Sequence, residues 1–273
     1  MTTSGSQTRD DAPPRPHALE AMPRAALVTG AAKRLGRAIA LGLARDGWDV
    51  AVHYGHSRDD AQAVVDEIAA LGRRAVAVQA DLADEAATGA MFDDALRRLG
   101  PIGCVVNNAS LFAYDRPAEF AYAALDAHVR TNLAAPLLLA RRLHASLADG
   151  ACGVVENLLD QKLGNLNPDF FSYTLSKAGL AAATRMMAMA FAPKLRVVGV
   201  SPGITMVSGE QTPEGFARAH RRTPLGASSH PHEIVEAVVF VARARAITGV
   251  DLPVDGGQHL LPLSRDVMYL PEG

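Results

Sequence analysis

From Arg24 onward, short β-branched apolar runs alternate with longer stretches whose apolar residues recur every three or four positions. The short runs predict strands at Ala25–Thr29, Trp48–Tyr54, Ala75–Gln79, Gly103–Asn107, Gly153–Asn157, Arg196–Ser201 and Val250–Val254. They are mostly continuous rather than alternating in polarity, the pattern of strands covered on both faces. The longer stretches predict helices at Leu35–Asp46, Asp59–Leu71, Glu85–Leu99, Leu125–Leu147, Ser172–Ala192 and His232–Ala244. Gly47, Gly72 and Gly100 follow three of them where left-handed caps are wanted, and Pro101 cannot continue the helix before it. Strands alternating with helices through right-handed crossovers give an α/β fold. The expected form is a Rossmann-type doubly wound parallel sheet of about seven strands, in a three-layer αβα single domain.

Composition supports this and narrows the partners. The 273 residues are 49% hydrophobic and 5% aromatic, enough to cover a buried sheet with helices. A net charge of −2, with no Lys/Arg-rich block, argues against nucleic acid or an anionic membrane surface and favours a small-molecule partner. No apolar stretch reaches membrane-spanning length. Cys104 and Cys152 lie in apolar runs without metal-ligand spacing, so they read as reduced core thiols of a cytoplasmic protein, and no metal is expected. Residues 1–23, rich in Thr, Ser, Asp, Pro and Arg, read as a disordered tail ahead of one domain over 24–273.

The first strand-to-helix turn, Thr29 through Gly36, carries Gly30, Lys33, Arg34 and Leu35. Glycine there lets the backbone turn tightly toward a pyrophosphate, whose charge the following helix N-terminus favours. An NAD-selecting protein usually ends its second strand on a carboxylate. Here Tyr54-Gly55-His56-Ser57-Arg58 stands instead, so His56, Ser57 and the charge of Arg58 or Lys33 suit a 2′-phosphate and favour NADP(H). Further along, Tyr173 and Lys177 lie four residues apart on one helix face. An ammonium there would lower the phenol pKa toward useful acid–base chemistry.

In order and spacing, Thr29–Gly36, Asp81-Leu82, Asn107-Asn108-Ala109-Ser110, Asn132, Tyr173/Lys177, Pro202-Gly203 and Asp255-Gly256-Gly257 resemble the short-chain dehydrogenases/reductases, over residues 24–262. The resemblance implies a catalytic dinucleotide-binding domain in which Tyr173 donates a proton and Lys177 holds the nicotinamide ribose. It implies that Asn132 supports a water relay, that Asp81 and Leu82 lie beside the adenine, and that Asn108, Ala109, Ser110, Pro202 and Gly203 line the cofactor. It also implies a homotetramer built on Leu125–Leu147 and Ser172–Ala192.

Two positions depart from the general family pattern. Arg34 replaces the middle glycine of the turn, and thirteen residues before Tyr173, where a serine is usual, stands Asp160. Both resemble the pteridine reductase branch, as do His53-Tyr54 with Ser57, Phe112 after Asn108-Ala109-Ser110, and His220-Arg221 before Pro224-Leu225. An ionised carboxylate accepts hydrogen bonds but cannot polarise a ketone oxygen, whereas a pterin ring offers N–H donors and a nitrogen to protonate. The branch implies that Asp160 and Tyr173 share proton delivery, that Phe112 sandwiches the substrate against the nicotinamide, and that Arg34 reaches toward phosphate and substrate. The expected activity is NADPH-dependent reduction of a dihydropterin or dihydrofolate. The alternatives are reduction of another carbonyl or imine, and a cofactor-binding sensor without catalysis. The segment from Thr205 to Arg222, with Gly209, reads as a loop able to close over the site.

Overall fold

The computed structural model describes residues 22–207 and 212–269. The expected tail, but for Met22 and Pro23, lies outside the described residues, as does Gly209 of the expected lid. Seven strands run parallel in the order β3-β2-β1-β4-β5-β6-β7: β1 (Ala25–Val28), β2 (Asp49–Tyr54), β3 (Ala75–Gln79), β4 (Cys104–Asn107), β5 (Gly153–Leu158), β6 (Leu195–Pro202) and β7 (Asp251–Val254). Each predicted strand is present within one or two residues.

The strands are continuously apolar because alternate side chains enter two cores. Ala26, Val28, Val52, Val106 and Val198 pack under α1 (Arg34–Arg45), α2 (Arg58–Ala70) and α8 (Pro231–Arg243). Leu27, Ala51, Val105, Val155 and Val197 pack on the other face under α3 (Glu85–Leu99), α5 (Ala135–Ser146) and α6 (Phe171–Phe191). Cys104 and Cys152 are buried free thiols. The predicted helix Leu125–Leu147 is compound. It runs through α4 (Tyr122–Val129), one wide π turn (Arg130–Ala134) and α5, and Asn132 sits in the π turn. Such turns concentrate at functional positions.

The structure corrects the expected loop over 205–222: Pro213–Arg221 forms a helix, α7, begun by the Thr212 hydroxyl, which accepts from the Gly215 N–H at 3.0 Å. Its only sizeable apolar side chain is Phe216, too little for an apolar period to show in the sequence. Among the described residues, no helix is long and apolar enough to cross a membrane. The strand order reverses between β1 and β4, and the crevice beyond their carboxyl ends is where such sheets take ligands.

Candidate active site

The turn between β1 and α1 crosses that crevice. Gly30 has a φ of +63°, and its N–H donates to His53 Nδ1 at 3.0 Å. The opposite ring nitrogen meets the Ala80 carbonyl at 3.2 Å, so His53 is held as a neutral tautomer with the proton on Nε2. Burial lowers its pKa from 6.5 to about 4. A Cβ on Gly36 would lie 2.1 Å from the Gly30 carbonyl oxygen and 2.5 Å from Asn108 Nδ2, so only glycine lets α1 close on the turn. Thr29 Oγ1 accepts from the N–H groups of Asn108 and Ala109, both at 3.0 Å, which ties the end of β1 to the end of β4. Lys33, the residue before α1, makes no side-chain cap. The first N–H groups of α1 are therefore left for an anion.

Arg34 takes a left-handed φ of 53° and donates to the Val207 carbonyl at 2.7 Å, spanning the crevice to the segment after β6. At the end of β2, His56 is exposed and Ser57 begins α2 with its hydroxyl uncommitted as a cap. Lys33 is a less available cation than the sequence suggests, because its ammonium pairs with Asp60 at 2.9 Å. At the end of β3, Asp81 Oδ1 accepts from the Ala83 N–H at 2.9 Å and Leu82 is buried.

Tyr173 sits in the first turn of α6. The N-cap residue Phe170 has no side-chain acceptor, and Asp115 from the β4–α4 loop supplies one. Its Oδ1 accepts from the Ser172 N–H at 2.9 Å and its Oδ2 from the Ser172 hydroxyl. The phenol donates to Asp160 Oδ2 at 2.7 Å. Asp160 Oδ1 accepts from the Lys162 N–H at 2.8 Å, capping a short 3₁₀ turn, Gln161–Gly164. Burial pushes the Asp160 carboxyl up, against the hydrogen bonds from Tyr173 and Lys162.

The expectation of a lowered tyrosine pKa is overturned. Burial first, and then the Asp160 carboxylate, hold the phenol well above its ordinary value. Lys177 points elsewhere: its ammonium donates to the Leu158 carbonyl at 2.6 Å and stands 5.7 Å from the tyrosine ring. Burial brings its own pKa down from 10.5 to about 8.

Asn132 is held from two sides. Its Oδ1 accepts from the Leu111 N–H at 2.7 Å, and its Nδ2 donates to the Leu111 carbonyl at 2.9 Å and the Ser176 hydroxyl at 3.0 Å. Bonded to Leu111 and to α6, its side chain fixes the backbone next to Phe112. Phe112 is 39% exposed rather than core. Its ring stacks on Phe170 at 4.2 Å and presents an edge contact to Tyr173 at 4.8 Å.

These groups surround two neighbouring hollows. One, of about 220 Å³, is lined by Arg34, Leu35, Asn108, Ser110, Lys177 and Pro202. The other, of about 120 Å³, is lined by Phe112, Lys162, Ile204, Asp266 and Met268. Asp160, Tyr173 and Gly203 line both. Two larger hollows include neither Asp160 nor Tyr173: one of about 330 Å³ lies between α3 and α5 with Leu82 on its wall, and one of about 400 Å³ lies between α6, the 3₁₀ turn and the start of β7. His56, Ser57, Asp81, Leu82, His220, Arg221 and Pro224-Leu225 line neither site hollow.

Sequence reasoning missed Lys162, Asp169 and Asp266. Asp169 is fully buried. Its Oδ2 accepts from Arg265 Nε at 2.6 Å and the Asp266 N–H at 2.9 Å, and its Oδ1 accepts from the Tyr114 hydroxyl at 3.1 Å. Those bonds are the reason the chain near Asp266 forms a wall of the smaller hollow. Asp169 lies in Asn165–Phe171, just before Tyr173, a stretch that matches none of the features expected from the sequence.

A family model described as enoyl-(acyl carrier protein) reductase matches residues 30–259. The 3-oxoacyl-[acyl-carrier-protein] reductase FabG of Staphylococcus aureus (strain Mu50) is 30% identical over 244 residues, covering 88% of this chain and 99% of that protein. Among solved structures, FolM alternative dihydrofolate reductase 1 from Brucella canis, complexed with NADP, is 38% identical with a TM-score of 0.82. The match covers 90% of this chain and 96% of that one. A short chain dehydrogenase from Burkholderia cenocepacia J2315, in complex with NADP, is 33% identical with a TM-score of 0.79, covering 85% and 96%. With the parallel sheet, the glycine turn and the tyrosine–lysine helix in place, the chain belongs to the short-chain dehydrogenase/reductase family of oxidoreductases.

Proposed function

We propose that the protein is an NADPH-dependent reductase of a C=N bond in a pterin-type ring. The observation that carries this reading is the 2.7 Å hydrogen bond from Tyr173 to Asp160, a carboxylate standing where the family usually has a serine hydroxyl. The FolM relative, whose name is alternative dihydrofolate reductase, supports it at 38% identity.

The residues fit the cofactor. The uncapped start of α1 beside the glycine turn suits the pyrophosphate. His56, Ser57, Arg58 and the start of α2 suit a 2′-phosphate, with Lys33 shared between that group and Asp60. Asp81 and Leu82 would flank the adenine, and Lys177 with Asn108, Ala109, Ser110, Pro202 and Gly203 the nicotinamide end. Bound NADPH supplies the hydride.

The protein's own contribution is the proton. A phenol held above its ordinary pKa stays protonated at neutral pH, so Tyr173 reaches the substrate as a donor. It releases that proton to a ring nitrogen that becomes basic as its neighbouring carbon is reduced. Asp160, raised by burial, can take up a proton from solvent and pass it to the Tyr173 phenolate left after the transfer, which restores the phenol and the carboxylate. Phe112 offers the ring a face beside the tyrosine, and Asn132 keeps that wall in place. Arg34, bonded to Val207, stands over the entrance.

A second reading, reduction of another carbonyl such as a ketoacyl thioester, is favoured by the FabG relative. NADPH oxidation with dihydrobiopterin and dihydrofolate, set against an acetoacetyl thioester and a simple β-keto ester, separates the two. The pterins are expected to turn over with the higher kcat/KM; the reverse order overturns the first reading.

A further inference from the structure

The smaller hollow contains more charge than proton delivery needs. Besides Asp160 it is walled by Lys162 and Asp266, brought together from the 3₁₀ turn after β5 and from the segment beyond β7. The Lys162 side chain is 4% exposed and that of Asp266 15%. The ammonium donates to the Asp169 carbonyl and lies 3.4 Å from Asp266 Oδ2. Among the described residues, the one hydrogen bond to Asp266 Oδ1 comes from the Met268 N–H, at 3.1 Å. A carboxylate has about four acceptor positions, so Asp266 keeps acceptor capacity on the wall of the hollow. It is also close enough to raise both Asp160 and Tyr173 electrostatically.

Its placement is tightly specified. The buried Asp169 uses its side chain on Arg265, on the Asp266 backbone and on Tyr114, while its own carbonyl takes the Lys162 ammonium. A carboxylate needed only to neutralise Lys162 would not require its backbone to be pinned by a second, fully buried acid. Lys162 offsets the charge of Asp266 at a long 3.4 Å without consuming its second oxygen.

We propose that Asp266 is a specificity-determining residue that accepts hydrogen bonds from an N–H-bearing edge of the substrate, with Lys162 and Asp169 as positioning residues. The ligand class is an amino-substituted nitrogen heterocycle, gripped by Asp160 and Tyr173 on one edge and by Asp266 on another. This rests on the pterin reading and assigns that ring's exocyclic amine to a residue in the last turn of the described chain.

The test uses the full-length protein and two ligands, a dihydropterin and the same ring lacking the exocyclic amine. Dissociation constants come from quenching of ligand fluorescence in the presence of NADP+, and KM and kcat from NADPH oxidation. Wild type is expected to bind the amine-bearing ring about ten- to a hundredfold more tightly than the deaminated one. Asp266→Asn should erase most of that preference by raising KM for the amine-bearing ring, with kcat changing by less than about threefold. Equal losses on both rings, or an undiminished preference, would mark Asp266 as structural and overturn the proposal while leaving the pterin reading intact. If the wild type neither turns over nor binds any dihydropterin, both fall together. Should Asp266→Asn lose the fold, the wild-type comparison alone decides, because equal affinity for the two rings overturns the assignment.

Discussion

The cofactor end and the substrate end of this crevice are built in different ways. The cofactor end is mostly local: Thr29, Gly30, Arg34 and Gly36 lie within eight consecutive residues, and their main outside supports, His53 and Asn108, come from the ends of neighbouring strands. The substrate end is assembled from distant segments. Phe112, Asp160, Asp169, Tyr173 and Asp266 meet only because α6 takes its cap from Asp115 and the late segment takes its anchor from Asp169. A binding site for a shared cofactor can be held by one turn and one helix. A site that must choose its substrate draws on loops that can vary separately.

Three perturbations sharpen that contrast. The largest effect belongs to Gly36→Ala. Its Cβ would meet the Gly30 carbonyl at 2.1 Å, and overpacking of this kind costs about 3 kcal/mol. NADPH affinity should fall about a hundredfold by fluorescence titration, with thermal stability reduced and substrate preference unchanged. A shift in substrate preference would mean that the two ends are not separable.

Next comes acid. In the unfolded chain His53 takes up a proton near pH 6.5, but in the fold only near about 4. Its contribution to stability is therefore complete above 6.5 and is lost as pH falls from 6.5 toward 4, by at most about 3 kcal/mol. Protonation also removes the acceptor that holds the Gly30 N–H. Urea unfolding through that interval should show the loss, and His53→Asn should flatten the slope. An unchanged slope in the variant would detach His53 from the acid sensitivity of the cofactor end.

The same division explains what could be read from the sequence. The seven strands, the glycine turn, Asp160 and the Tyr173/Lys177 pair were legible because each is a local pattern or a fixed spacing. α7 was not, since its one large apolar residue, Phe216, sets up no period. The high pKa of Tyr173 was hidden because spacing gives the Lys177 distance but not the direction of its ammonium, which goes to Leu158. Asn132 was recognisable as a site residue, yet its work on Leu111 depends on a loop that folds back from β4. Asp169 and Asp266 were invisible, as nothing local in either segment announces a contact across 97 positions.

The smallest expected effect is also the most telling, because it is a ratio. The central claim is that the Asp160–Tyr173 pair suits a ring nitrogen better than a ketone oxygen. The direct test is kcat/KM for dihydrobiopterin divided by that for a β-keto ester, in wild type and in Asp160→Ser. The ratio is expected to fall at least about tenfold in the variant, through loss of pterin turnover with ketone turnover held or raised. A ratio that stays constant, or rises, would contradict it.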